Sequence, residues 1–285
     1  MPLGRKSICL TLPDASASSI RDTDLFALCE YIKSVKIRPL HPHAALLLEE
    51  DDDRKYVAVS DLHIGLEAEL LEKGVTMPSL ASGMVSELLE LVEREHVNGV
   101  VLLGDIKHTV GSISKQEWDE IPAFLKRLAA KADVYLVPGN HDSNIRHLVP
   151  TSVNVVSAKG MTLGGDTLLV HGHSMPSDIR SNVGRIVMGH VHPVFVKKGS
   201  VINGQRVWIY IQGRKEALFP SQEGTIEVVV VPSFNPHLYA TEERWYHKPI
   251  SPIITRVVEA GVEKCIVATL DGSVVGDVDV LPHIL

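Results

Sequence analysis

The sequence predicts an α/β fold in which strands and helices alternate through the first half and short strands dominate the second. Three observations carry this. Apolar runs at 57–59, 100–103 and 134–137 are separated by two longer segments with apolar residues at helical spacing, a βαβαβ pattern that favours a largely parallel sheet covered by helices. Beyond Pro150 the helical spacing fades, and Gly164-Gly165, Asn203-Gly204 and Asp271-Gly272 each stand between short apolar runs, as in tight hairpins. With 285 residues, 45% of them hydrophobic and 22% charged, the chain has enough apolar side chain to bury a sizeable core.

Taken in order, residues 22–35 place Leu25, Leu28, Ile32 and Val35 at the spacing of a short helix. Segments 44–48 and 56–60 read as two strands joined by an acidic turn at 49–55, a solvated hairpin tip. Residues 79–95 carry Met84, Leu88, Leu89 and Val92 on one face of an amphipathic helix, and 117–130 form a second helix. A short helix is expected at 143–147. Hairpins follow at 161–163 with 167–170 and at 201–202 with 207–211. A strand at 226–231 and a last hairpin, 265–270 with 273–280, complete the reading.

Composition narrows the function. No apolar run reaches the roughly 18 residues that cross a bilayer. Residues 1–15 lack the apolar centre and small-residue cleavage site of a signal peptide, so a soluble, cytoplasmic protein is expected. Cys9, Cys29 and Cys265 are odd in number and widely spread, which suits reduced, structural thiols. A formal net charge of -7 argues against broad adhesion to nucleic acid but leaves room for a local basic groove.

Five polar clusters fall at the ends of expected strands. They are Asp61-Leu62-His63, Gly104-Asp105, Gly139-Asn140-His141-Asp142, His171-Gly172-His173 and Gly189-His190-Val191-His192. Open α/β sheets build their sites outside the carboxyl ends of strands, so five such clusters can converge. Each alone is weak, because a lone histidine is more often a satisfied polar residue than a ligand. Together, in this order, they describe a metal centre. An imidazole, amide and carboxylate set suits Mn, Fe or Zn better than Mg or Ca.

The order D-x-H, G-D, G-N-H-D, H and G-H-x-H resembles the calcineurin-like metallophosphoesterases over 61–192, nearly half the chain. The resemblance implies a metallophosphoesterase-type β-sandwich flanked by helices, with a short N-terminal extension (1–43), the catalytic domain (44–235) and a C-terminal β-hairpin extension (236–285) packed on it. It implies two divalent transition metals, Mn foremost. Asp61, His63 and His192 would hold one, Asn140, His171 and His190 the other, and Asp105 would bridge them. A hydroxide between the metals would attack phosphorus. His141 would face the phosphoryl oxygen or leaving group, and Asp142 either orients it or caps the next helix. His173 either touches phosphate or forms a hydrogen bond behind the ligands.

Many phosphatases of the family carry an acid three residues after the bridging aspartate, paired with the catalytic histidine. Here that position is His108, as in the nuclease subunit of the double-strand-break repair complex. The hairpin before Asp61 and the Lys107-His108 pair are similar to small metallophosphoesterases associated with DNA ligase or large helicases, which act as manganese-dependent DNA endonucleases or phosphodiesterases. The resemblance implies a nuclease of DNA repair with a ligase or helicase partner and a catalytic role for His108. The alternatives are a nucleotide or small-molecule phosphoesterase and an inactive scaffold. Arg180, Arg185, Lys197, Lys198, Arg206, Arg214 and Lys215 either line a phosphate-binding groove, with Arg180 and Arg185 its first candidates, or are scattered surface charge.

Overall fold

The computed structural model describes residues 35–176, 182–238 and 251–284. Strands β1 (Lys36–Pro39), β2 (Leu46–Glu49) and β3 (Lys55–Val59) meander antiparallel, and β4 (Gly99–Leu102), β5 (Asp133–Leu136) and β6 (Val153–Val155) extend the sheet in parallel. The acidic segment between β2 and β3 is the exposed tip of their hairpin. Parallel neighbours need crossovers, and helices supply them. Helices α1 (Leu66–Glu72) and α2 (Ala81–Glu95) join β3 to β4, and α3 (Lys115–Ala129) joins β4 to β5. The start of α3 is fixed by a capping box: Ser114 Oγ accepts from the Glu117 amide while the Glu117 carboxylate accepts from the Ser114 amide.

A second, seven-stranded sheet has the order β13-β12-β10-β11-β9-β8-β7. Its strands are β7 (Met161–Leu163), β8 (Thr167–Val170), β9 (Arg185–Met188), β10 (Val207–Arg214), β11 (Thr225–Val230), β12 (Val262–Thr269) and β13 (Val274–Gly276). β8, β9 and β11 are parallel; the other pairs are antiparallel. Helix α4 (Pro252–Ala260) covers the outer face through Ile253, Ile254 and Val257.

The alternation of side chains sorts the core into layers. Val57 and Val59 of β3 face α2 and α3, where Leu88, Leu91, Phe124 and Leu125 meet them. Tyr56 and Ala58 face inward, and with Leu46, Leu48, Val101 and Leu103 they pack against Leu169, Val187, Trp208 and Val229 of the other sheet. The result is the expected sandwich of two sheets with helices outside. No helix among the described residues is long and apolar enough to cross a membrane.

Several expectations change. The parallel run β3-β4-β5 of the βαβαβ pattern is present, but β1 and β2 add antiparallel strands beside it, so the sheet is mixed. The hairpin at 201–202 with 207–211 is absent: 200–204 is a turn with Val201 96% exposed, and β10 pairs with β11 and β12. The strand expected over 273–280 stops at Gly276, and a 3-10 turn, Val278–His283, follows from the Asp277 side chain accepting the Asp279 amide. The helix at 143–147 is one 3-10 turn, Ile145–His147. The helix expected at 22–35 lies outside the described residues except for its last residue. Strands β1 and β6 and helices α1 and α4 are too short or too near proline to show periodicity.

Leu48 is fully buried between the sheets. Leu48→Ala should therefore cost about 2–5 kcal/mol in urea unfolding. Leu71→Ala, at a residue 60% exposed on α1, should stay within about 0.5 kcal/mol. Equal midpoints for the two variants would contradict the sandwich.

Candidate metal centre

Strands from both sheets end at one place. Asp61 and His63 follow β3, Asp105 follows β4, Asn140 and His141 follow β5, and His171 and His190 lie just beyond β8 and β9. The loops are laced together: the Asp61 amide donates to the Gly104 carbonyl (3.2 Å) and the His63 amide to the Asp105 carbonyl (2.9 Å). Turning the chain back this sharply puts Asp61, His63, Asp105, His190 and His192 in the left-handed region, with φ between 43° and 70°. For residues with a Cβ this costs about 1–2 kcal/mol each, and such strain gathers at functional sites.

Two glycines of the motifs are demanded by space. A Cβ on Gly139 would stand 2.2 Å from Asp105 Oδ1, and one on Gly189 would stand 1.5 Å from Ser60 Oγ. Each glycine lets a backbone approach a carboxylate or its support.

Seven expected ligands are brought together. The ligand atoms of Asp61, His63, Asp105 and His192 lie within 4.8 Å of one another, as do those of Asp105, His171 and His190. Asp105 belongs to both groups. Asn140 Oδ1 joins the second, 3.2 Å from His171 Nε2. Within the first group His192 Nε2 is 3.0 Å from Asp61 Oδ1, and within the second His171 Nε2 is 3.3 Å from Asp105 Oδ2. Asp61, Asp105, His63, His171 and His192 are all buried.

The electrostatics follow from that burial. Burial alone would raise both aspartates, but the imidazoles outweigh it: His192 and His171 hold Asp61 below the usual carboxylate range, and His171 and His63 do so for Asp105. Burial would lower His171, yet Asp105 and Asp61 push it up to about 9. His190 is brought down to about 4 by burial and by the charge on His171. Buried carboxylates against a buried imidazole nitrogen, His63 Nε2, that makes no hydrogen bond form a donor set that divalent cations satisfy.

The remaining expected residues take definite places. The amide of His141 donates to Asp105 Oδ1 (2.8 Å), its ring Nδ1 bonds the His108 carbonyl, and its Nε2 faces Asp105 Oδ2 at 4.0 Å. Asp142 neither orients His141 nor caps the following turn. Its Oδ1 accepts from the amides of Ile106 (2.9 Å) and Lys107 (3.2 Å), and its Oδ2 from Gly139 (2.9 Å), so it ties the loop after β4 to the loop after β5. Burial and Asp105 push its carboxyl up to about 6. Both ring nitrogens of His108 are engaged, with His63 and Glu69. His173 stands beside the ligands, its ring 5.4 Å from that of His171 and 6.2 Å from that of His190.

The basic groove shrinks. Arg185 begins β9, at the opposite end from His190, and its guanidinium is committed to Glu227 (2.5 Å) and the Val35 carbonyl (2.7 Å). It cannot reach substrate at the centre. Arg206 donates to the carbonyls of Ser233 and Phe234, Arg214 to that of Ala260, and Lys215 is buried. Lys197 and Lys198 are exposed, and Arg180 lies outside the described residues.

Sequence reasoning gave no supporting role to four residues, although it named Lys107 beside His108. Ser60 Oγ donates to Asp61 Oδ2 (2.6 Å). The buried Lys107 ammonium donates to the carbonyls of Thr109, Val110 and Ser112. Glu117 accepts from the amides of His108 (3.0 Å) and Thr109 (2.8 Å). Asn235 Nδ2 donates to the Leu62 carbonyl (2.9 Å). Only Glu117 left a signal, the S-x-x-E spacing from Ser114.

Residues 54–194 match the family model of the calcineurin-like phosphoesterases. Among solved structures, nuclease MPE of Pseudomonas putida is 19% identical over 70% of this chain and 87% of that one, with a TM-score of 0.42. Yfce, a phosphoesterase from E. coli, is 17% identical over 79% and 98%, with a TM-score of 0.39. Likenesses this low do not bear on substrate.

A His171 imidazole held up to about 9 carries a proton at neutral pH, and a ligating imidazole must lose it. The raised value adds stability to the metal-free protein that is full below about pH 6.5 and lost as pH climbs through about 9. Cation binding at pH 7 should therefore release protons, read from calorimetric enthalpies in buffers of different ionisation heat. Binding without proton release would contradict the assignment of His171.

Proposed function

We propose, from the premise that residues 54–194 are a calcineurin-like phosphoesterase domain, that this metal-dependent phosphoesterase is dinuclear and cleaves phosphodiester bonds in nucleic acid. The observation that carries the dinuclear reading is the sharing of Asp105 between two ligand groups. Asp61, His63 and His192 complete one cation site with it; Asn140, His171 and His190 complete the other. When bound, the cations supply positive charge for the phosphate oxygens and a water acidic enough to attack phosphorus at neutral pH. The mixed donor set suits Mn, with Fe or Zn as the next choices.

The protein's own groups do the rest. The Asp105 carboxylate, with one oxygen held by the His141 amide, keeps the two ligand groups in register. The His108 carbonyl can only accept, so His141 carries a proton on Nδ1. A second proton, on Nε2, makes the ring a donor to the phosphoryl or leaving-group oxygen. Neutral imidazoles outnumber carboxylates among the ligands, which leaves net positive charge for a diester anion. The exposed Lys197 and Lys198, five and six residues beyond His192, add backbone-phosphate contacts of the sequence-independent kind. The formal charge of -7 favours a second reading, a nucleotide or small-molecule phosphodiesterase.

A panel with Mn decides between them: single-stranded DNA, duplex DNA, RNA, cyclic nucleotides and a monoester reporter. Cleavage of a polymeric diester is expected. Turnover of cyclic nucleotides alone would favour the second reading, and turnover of the monoester alone would overturn both. His141→Ala should leave both cations bound while lowering turnover about 10²- to 10⁴-fold. Loss of cation in that variant would contradict the role given to His141.

A further inference from the structure

Behind the first ligand group three side chains form a line. His63 turns Nε2 towards Asp105, 3.6 Å from Oδ2. Its Nδ1 points away, to 3.3 Å from Nδ1 of His108. The far nitrogen of His108, Nε2, lies 2.6 Å from Oε2 of Glu69. Glu69 stands in α1, with its other oxygen 2.9 Å from Lys73 Nζ.

Hydrogen-bond chemistry fixes the protons along this line. A nitrogen that holds a cation must offer its lone pair, so Nε2 of His63 is bare and Nδ1 carries the ring proton. That proton faces His108 Nδ1, which must then be the bare acceptor. The proton of His108 is therefore on Nε2, facing a carboxylate, a group that only accepts. Every contact has one donor and one acceptor. The opposite tautomers would set a lone pair of His108 against the carboxylate of Glu69.

We propose that Glu69 and His108 form a relay that orients His63 and strengthens it as a ligand, which makes Glu69 a positioning residue for the first cation site. The inference rests on the dinuclear reading above. A carboxylate at the end of an imidazole chain pushes electron density towards the ligating nitrogen and holds the ring against rotation. With both nitrogens engaged, His108 acts through His63 and not on substrate.

The test is calorimetric titration of Mn into metal-free wild-type protein, Glu69→Ala, Glu69→Gln, His108→Ala and Lys73→Ala. The wild type should show two binding events. Glu69→Ala should weaken one of them about 10- to 100-fold and spare the other. Glu69→Gln should fall between, since its amide oxygen still accepts but carries no charge. Glu69→Ala combined with His108→Ala should lose no more than His108→Ala alone, as members of one relay do. Nitrogen NMR of the wild type loaded with Zn, which is diamagnetic, should place the His63 proton on Nδ1. Equal weakening of both events, no weakening of either, a proton on Nε2, or a matching loss in Lys73→Ala would overturn the relay. A wild type that binds no cation would overturn the dinuclear reading itself and the relay with it.

Discussion

The structure depends on keeping the Asp105 carboxylate charged in a place where water cannot reach it. A buried carboxylate with no compensating charge costs more than a small domain can bear, and it takes up a proton instead. Here it does neither, because His171, His63 and His141 surround it and the His141 amide donates to it. Its strand, β4, lies between β3 and β5, so loops from both sides can reach it. Gly139 has no side chain because the carboxylate occupies that space.

The next layer of contacts holds the loops that carry those imidazoles. Asp142 gathers three amides from two loops; Lys107 gathers three carbonyls from one; Glu117 receives the amides that follow. These are charged groups spent on backbone. A net hydrogen bond to a charged group is worth about 1.5–3 kcal/mol, and removing the charge strands several partners at once. The arrangement offsets the left-handed backbone at five site residues. Local strain and dense polar bracing occur together because neither would persist without the other.

How much of this the sequence disclosed can be argued residue by residue. The ligand clusters were legible because each had to follow an apolar strand directly, and Val57, Val100 and Val134 mark those strands plainly. The strand order of the second sheet was not, since β10 pairs both with β11, its neighbour in sequence, and with β12, a strand that begins only at Val262. The partners of Asp142 and His108 were equally hidden. Asp142 finds its amides 36 and 35 residues earlier, and His108 finds Glu69 across 39. Glu69 lies on a seven-residue helix whose N-cap, Gly65, offers no side-chain signal. Arg185 looked like a phosphate ligand from its neighbourhood in sequence, but four residues of strand carry it away from the centre.

The donors come from two sheets that pack face to face through an apolar seam. Asp61, His63, Asp105 and Asn140 are mounted on one; His171, His190 and His192 on the other. Cations held between them would act as rivets across that seam, and the spacing of the rivet holes is a readout of how the sheets lie. An ångström of sliding at Leu48, Trp208 or Val229 would be delivered to the gap between His171 and Asp105, where misplacement on that scale costs about two orders of magnitude in rate. Sites of this construction gauge the registry of their own scaffold, so substitutions in the hydrophobic seam can silence the chemistry long before they unfold the chain.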